Sequence, residues 1–349
     1  MRMMLLISCL AILQCSVSQP HQTAQNTPGK TAPAVLKESY ISASYVPDNL
    51  DSIAIYKDGD RQWAILTAKA TDTLFVFDAN TGELVKKVGQ TGEGQGSLRR
   101  PNGIWAGPNF LLVVERDNHR VQGFTLPDFK PMGTLGDGDL IKPYGLTCYR
   151  DQSGAYQLYV TDDYDLGPNR SAKARVKQYR IDPSHGHLHG EKLGEFGESE
   201  GPGLLFKVES IIADPAYNRL FVAVEKGPNP GIKVYDLNGA FTGEELDTKH
   251  FHGEPEGIAI YPTGPKTGFI VTTDQQHPYT VFHIYDRQNL RHLTQFRGNV
   301  TANTDGIAVT SWSTDAFSEG GLWAIHDDQA LAAFDWRTIQ SQIQKGFLD

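Results

Sequence analysis

Glu254-Pro255-Glu256-Gly257-Ile258-Ala259-Ile260-Tyr261 holds the pattern that decides the fold: a polar residue, then Gly or Ser, then an aliphatic residue opening a strand. The same opening recurs as Asp51-Ser52-Ile53, Asn102-Gly103-Ile104, Tyr144-Gly145-Leu146, Glu209-Ser210-Ile211 and Asp305-Gly306-Ile307, at intervals of 42 to 65 residues. A second apolar run follows each opening, for example Leu111-Leu112-Val113-Val114 and Leu220-Phe221-Val222-Ala223. A third run with aromatic alternation comes next, as in Leu74-Phe75-Val76-Phe77 and Ile232-Lys233-Val234-Tyr235. Four of the six third runs are followed by Asp (Asp78, Asp236, Asp286, Asp335), whose side chain favours a turn by bonding the backbone two residues on. Short strands at even spacing, with almost no helical period, predict an all-β fold, a six-bladed β-propeller. Tyr40 to Val46 alternates as a strand and is placed in the last blade, closing the ring and removing its exposed edges. The alternative is a β-sandwich or two all-β domains.

Around this repeat the chain has 349 residues, 41 acidic and 32 basic side chains and 35 Gly, a share of glycine that suits many turns. The acid excess argues against nucleic acid as a partner, because such binding needs a basic field. It suits a cation, or an anion that arrives with cations. At the N-terminus, Arg2 precedes the short apolar run Leu5 to Leu13, so residues 1–18 read as a secretory signal. Leu13-Gln14-Cys15 sits where a lipoprotein would be cut, which leaves two readings: plain cleavage, or a lipid anchor at Cys15. Either way the protein is expected to be secreted, periplasmic or at the cell surface. Residues 19–38 read as a flexible linker, and 39–349 as the propeller, expected to be monomeric. Cys148, among Leu146, Thr147 and Tyr149, reads as a small buried core residue rather than a catalytic thiol.

In a propeller the first strand of each blade lines the central channel, so the residue before it stands at one mouth. Here those residues are Asp51, Asn102, Tyr144, Glu209, Glu256 and Asp305. Converging carboxylates resist ionising unless a cation neutralises them, and an all-oxygen set suits Ca²⁺. The loop after the second strand shares that face and mixes acids with bases, and the sequence offers Lys69, Arg116, Arg120, Lys142 and Lys226 as cations suited to a phosphorylated ligand. Motifs for a helix-borne zinc site, a nucleophile elbow or a P-loop are absent from the sequence.

These residues, with Asn303-Thr304-Asp305-Gly306-Ile307, Lys142-Pro143-Tyr144-Gly145-Leu146 and Trp323-Ala324-Ile325-His326-Asp327-Asp328, resemble the β-propeller phytases over residues 47 to 340. That family comprises calcium-dependent phosphatases acting on inositol hexakisphosphate. The resemblance implies a phytase-like phosphoric monoester hydrolase acting on phytate or a related small phosphorylated substrate. It implies Ca²⁺ held by Asp51, Glu209, Glu225, Glu256 and Asp305, and a catalytic set of Lys69, Arg116, Tyr144 and Glu225. It gives Lys69, Arg116 and Tyr144 as the phosphate-contacting side, to which the sequence adds Arg120, Lys142 and Lys226 as further substrate-binding cations. Thr161-Asp162-Asp163-Tyr164-Asp165 departs from the family, which has a basic residue there, and Asp48-Asn49-Leu50-Asp51 alters a pair of acids. A second resemblance, to NHL-type repeats over Gly92 to Phe124, implies a binding propeller without catalysis. A calcium-dependent lactonase-type propeller is a third reading.

Overall fold

A computed structural model describes residues 32–166 and 171–346. The predicted signal, the lipidation point at Cys15 and most of the predicted linker lie outside the described residues.

Six antiparallel sheets follow one another along the chain. Blade 1 consists of Leu50–Asp58, Arg61–Ala68, Thr73–Asp78 and Leu84–Val88. Blade 2 has Pro101–Ala106, Phe110–Glu115, Arg120–Thr125 and Pro131–Leu135, and blade 3 has Pro143–Arg150, Tyr156–Asp162, Val176–Asp182 and His189–Phe196. Blade 4 has Val208–Asp214, Arg219–Val224, Gly231–Asp236 and Phe241–Glu245, and blade 5 has Glu254–Pro262, Gly268–Gln275, Val281–Asp286 and His292–Arg297. Blade 6 supplies three strands of its own, Ile307–Thr310, Gly321–His326 and Ala330–Asp335. Its fourth is Tyr40–Ile41, which pairs Tyr40 with Ala333 and Ile41 with Ala332, as the alternation of that segment predicts. The innermost strand of each blade touches that of the next, and the sixth touches the first, so the ring is closed. The protein is a six-bladed β-propeller.

The apolar core is divided into six clusters, one in each gap between neighbouring blades. Blade 1 shows how the sequence fills two gaps at once. Leu66, Phe75 and Phe77 face blade 6, while Ile65, Leu74 and Val76 face blade 2. Both faces of each sheet are covered, and this is why the second strands read as unbroken apolar runs rather than as strict alternation. Cys148 lies in the gap between blades 2 and 3 as a buried free thiol, and burial pushes its pKa up. Three of the four Asp residues after third strands form the expected turns, Oδ1 of Asp78, Asp236 and Asp286 accepting from the N–H two residues on, while Asp335 makes the same bond at the start of a helix.

Two features lie beyond the sequence reading. Ala34–Val35 adds a parallel strand to the outer edge of blade 5. The helix Trp336–Gly346 buries Trp336, Ile339 and Ile343 against blade 5, with Trp336 stacked on Tyr261 at 3.6 Å between ring centres. Eleven residues give only three turns of apolar spacing, too little to stand out beside the β repeat.

Candidate metal centre at the channel mouth

The recurring triplet is a β-bulge. In five blades the ladder between the first and second strands loses register at the same place: Leu50/Ile53, Pro101/Ile104, Pro143/Leu146, Val208/Ile211 and Pro255/Ile258. The two residues skipped in each are the polar residue and its Gly or Ser. A bulge bends its strand and re-aims a side chain, and here it does so at one level around the axis. In blades 1, 3 and 5 a Thr on the second strand holds it: Thr67 accepts from Ser52 N, Thr161 from Gly145 N and Thr273 from Gly257 N. Glycine is required by close approach, since a Cβ on Gly257 would stand 2.7 Å from the Asp305 carbonyl oxygen and one on Gly103 2.7 Å from that of Tyr144. The next residue of every triplet (Ile53, Ile104, Leu146, Ile211, Ile258, Ile307) is a buried aliphatic lining a cavity of about 240 Å³ in the channel. The polar ring therefore rests on an apolar one.

At that level Glu209, Glu225 and Glu256 converge, each offering an oxygen within 4.8 Å of the others. Glu209 and Glu256 come from bulges, and Glu225 follows the second strand of blade 4. Burial, then the neighbouring acids, holds Glu256 well above the usual carboxylate range. Burial pushes Glu209 up to about 8. Burial also works against the charge on Glu225, but hydrogen bonds from Glu209, Lys207 and Lys226 bring it down to about 2. The metal-free triad thus keeps a proton at neutral pH, as carboxylates this close must.

Beside the triad, Lys69 lies between Asp51 (2.6 Å) and Asp305 (3.5 Å). The Tyr144 hydroxyl donates to Asp51 Oδ1 at 3.4 Å. Burial and the acids Asp51, Glu209, Asp305 and Glu256 raise its pKa, so it stays protonated. Burial and Asp51 likewise hold Asp305 up. Asp51, Lys69, Tyr144, Glu209, Glu225, Glu256 and Asp305 are therefore brought together.

The other basic residues fare differently. Arg120 is turned inward: it binds Glu115 at 2.8 Å and the carbonyls of Glu93, Gly94 and Ser97. Its donors pin the loop leading into blade 2, so in this structure it faces that loop rather than the acids of the channel. Arg116 pairs with its neighbour Asp117 at 2.7 Å, and Lys142 stands 3.7 Å from Asp163. Lys226, half exposed, lies against Glu225 and 3.0 Å from Glu254.

The structure adds Lys207, which the sequence reading missed. Its Nζ is 2.7 Å from Glu225, 3.4 Å from Glu209 and 3.8 Å from Asp163. It lies two residues before Glu209, and that proximity was the available signal. It also explains the acidic stretch of blade 3. Asp162 accepts from the N–H groups of Ile141 and Lys142 and so anchors a loop, as Glu115 does for Arg99 N and Asp274 for Gly253 N. Asp163 is the partner of Lys207 and, at 3.8 Å, of the buried Arg175.

All-oxygen donors, buried and crowded together, could hold a metal ion, and oxygen ligands suit a hard cation. Asn102, in the polar ring and fully buried, has no hydrogen-bond partner for either amide atom.

The fold is shared with solved structures of low sequence identity. A gluconolactonase from Xanthomonas campestris superposes with TM-score 0.56 at 10% identity, over 86% of this chain and 94% of that one. A chain of the nidogen/laminin complex gives 0.51 at 14%, over 76% and 86%. Hydrazine synthase of Kuenenia stuttgartiensis gives 0.50 at 12%, over 90% and 99%. No family model matches the chain, and no curated protein matches it in sequence. At these identities the likeness is one of fold, and function rests on the site.

Proposed function

We propose that the protein is a calcium-dependent phosphomonoester hydrolase of phytase type, acting on inositol hexakisphosphate or a related phosphoester. The observation that carries this reading is the convergence of Glu209, Glu225 and Glu256 at the channel mouth, with Lys207 lodged against Glu225 and Glu209 and Lys69 beside them against Asp51 and Asp305. Glu209, Glu225, Glu256, Asp51 and Asp305 would hold the metal. When bound, Ca²⁺ supplies positive charge that neutralises phosphate oxygens and offsets the crowded carboxylates.

The chain's own groups do the rest. Burial opposes the charge on Lys69, but Asp51 and Asp305 outweigh it and keep the ammonium charged. Lys207 is held charged in the same way by Glu225, Glu209 and Asp163. Both lysines stabilise negative charge on a phosphoryl group in transfer. The Tyr144 hydroxyl keeps its proton and donates to a phosphate oxygen.

The test is phosphate release from phytate and from p-nitrophenyl phosphate, with calcium and after chelation. Calcium-dependent release, lost in Glu256→Gln, is the expected result. Absence of release from both substrates defeats the reading.

A second reading, a metal-dependent lactonase, is favoured by Asn102. Its buried, unpartnered amide offers a neutral oxygen donor in the polar ring. Lactone hydrolysis without phosphate release would select it.

A further inference from the structure

A second cluster of metal-ligating groups lies on the outer strands of blade 5, away from the channel. Four of the chain's 11 histidines gather there: His250, His252, His283 and His292. His283, in the middle of Val281–Asp286, is fully buried and stacks on Phe251 with 4.3 Å between ring centres. Its Nδ1 is 3.0 Å from Nε2 of His292, the half-buried first residue of His292–Arg297. His250, from the loop between blades 4 and 5, stacks on the other side of His292 at 4.9 Å. On the far side of His283 lies the buried Asp274, with Oδ2 3.8 Å from His283 Nε2. That Nε2 has no hydrogen-bond partner.

We infer that this corner is a transition-metal site for an ion of the Zn²⁺, Ni²⁺ or Cu²⁺ class, with His283 Nδ1 and His292 Nε2 as its preplaced donors. Two imidazole nitrogens bound tetrahedrally at about 2.1 Å from one ion stand roughly 3.4 Å apart, so the observed pair needs only a small opening. The hydrogen-bond inventory points the same way. With both rings neutral, one nitrogen of the facing pair donates and the other accepts. If His283 Nδ1 donates, its bare Nε2 lone pair is turned toward the Asp274 carboxylate, which is repulsive. If Nδ1 accepts, the proton sits on Nε2 but finds no bond. A metal on Nδ1 fixes that proton on Nε2, where closing 3.8 Å to hydrogen-bond length makes the carboxylate–histidine–metal relay common in metalloproteins. Asp274 is already oriented for it by the N–H groups of His252 and Gly253 and by Gln276. Burial keeps both imidazoles in the neutral, ligating form, with His292 pushed down to about 4.

Among the described residues the acid triad is the only group of three whose ligand atoms already converge within 4.8 Å. The histidine site therefore begins from two donors. A turn of the His250 side chain, or water, completes it. Its nitrogen donors select a softer ion than the carboxylates of the channel, so the two sites sort metals by ligand type.

The test uses the full chain without a histidine tag, saturated with Ca²⁺ to fill the channel mouth, and titrated with Zn²⁺ by calorimetry. One equivalent is expected, weakened at least tenfold in His292→Gln and less in His250→Ala, with calcium stabilisation unchanged in both. Absence of a calcium-resistant equivalent, or equal affinity in His292→Gln, overturns the inference. Co²⁺ bound to the wild-type protein gives a readout that needs no variant. Visible bands of nitrogen-ligated, four- or five-coordinate cobalt support the site, and the faint spectrum of an all-oxygen octahedral ion overturns it.

Discussion

Glu209 is the residue on which the channel mouth turns. Its folded-state pKa of about 8 stands above the 4.5 of an ordinary glutamate. A carboxyl whose pKa is raised on folding contributes stability that is fully present below the unfolded value and is lost as pH rises through the folded one. The cation-free protein should therefore lose stability between about pH 5 and about pH 9, and Ca²⁺, which replaces the proton, should restore it. Thermal unfolding with and without calcium is expected to show a Tm increase that grows across this range. In Glu209→Gln the growth should be smaller, since Glu256 still carries a raised pKa, and a calcium effect independent of pH in the wild type would contradict the assignment. Under the proposed function, Lys207 is the residue at which binding and turnover should separate. Lys207→Ala removes a cation that competes with the metal, so calcium affinity should hold or rise. Phosphate release should fall roughly a hundredfold to a thousandfold. Calcium titration beside a phosphatase assay reads both, and equal loss of the two would make Lys207 a merely structural partner of Glu225.

The element that matters most is the bulge. In five blades it re-aims one polar side chain, and at Gly103, Gly145 and Gly257 it leaves no room for a Cβ beside the neighbouring blade's carbonyl. Gly257→Ala places that Cβ 2.7 Å from Asp305 O, within the ligand cluster itself. A loss of roughly 1–3 kcal/mol is expected in urea unfolding, with weaker calcium binding because Asp305 is displaced. Gly94→Ala is the control, since nothing lies within 4 Å of its Cβ, and its change should stay within about 0.5 kcal/mol. Equal effects from the two would show that packing at the bulge is slack. The loop leading into blade 2 illustrates the converse limit of pattern reading. Lys69 and Arg116 directly follow second strands, whereas Arg120 opens a third strand. Which way a base turns depends on partners such as Glu115 and Ser97, and these are fixed only once the loop is folded.

For the whole molecule, closure is the central fact. Tyr40–Ile41 joins a strand from the start of the propeller to three from its end, and Tyr40 does more than pair. Its hydroxyl donates to Ala79 O at 2.8 Å, in blade 1, and accepts from Trp323 Nε1 at 3.0 Å, in blade 6. A chain beginning after residue 41 leaves the last blade with an open edge and this joint unmade. Its Tm should fall on the order of 5 °C or more, since each kcal/mol is worth about 2–4 °C in a domain of a few hundred residues. An unchanged melting curve would show that blade 6 holds without its fourth strand. The sequence by itself determined the number of blades, their order, the closing strand and the level at which acids meet, because a repeat imposes the same local geometry wherever it recurs. Lys207 at the acids, Arg120 turned away from them, the structural use of Asp162 and the pairing of His283 with His292 were decided only by the tertiary structure. These depend on contacts between blades and across loops, where residues far apart in the chain compete for the same partner, and no local period records which of them wins.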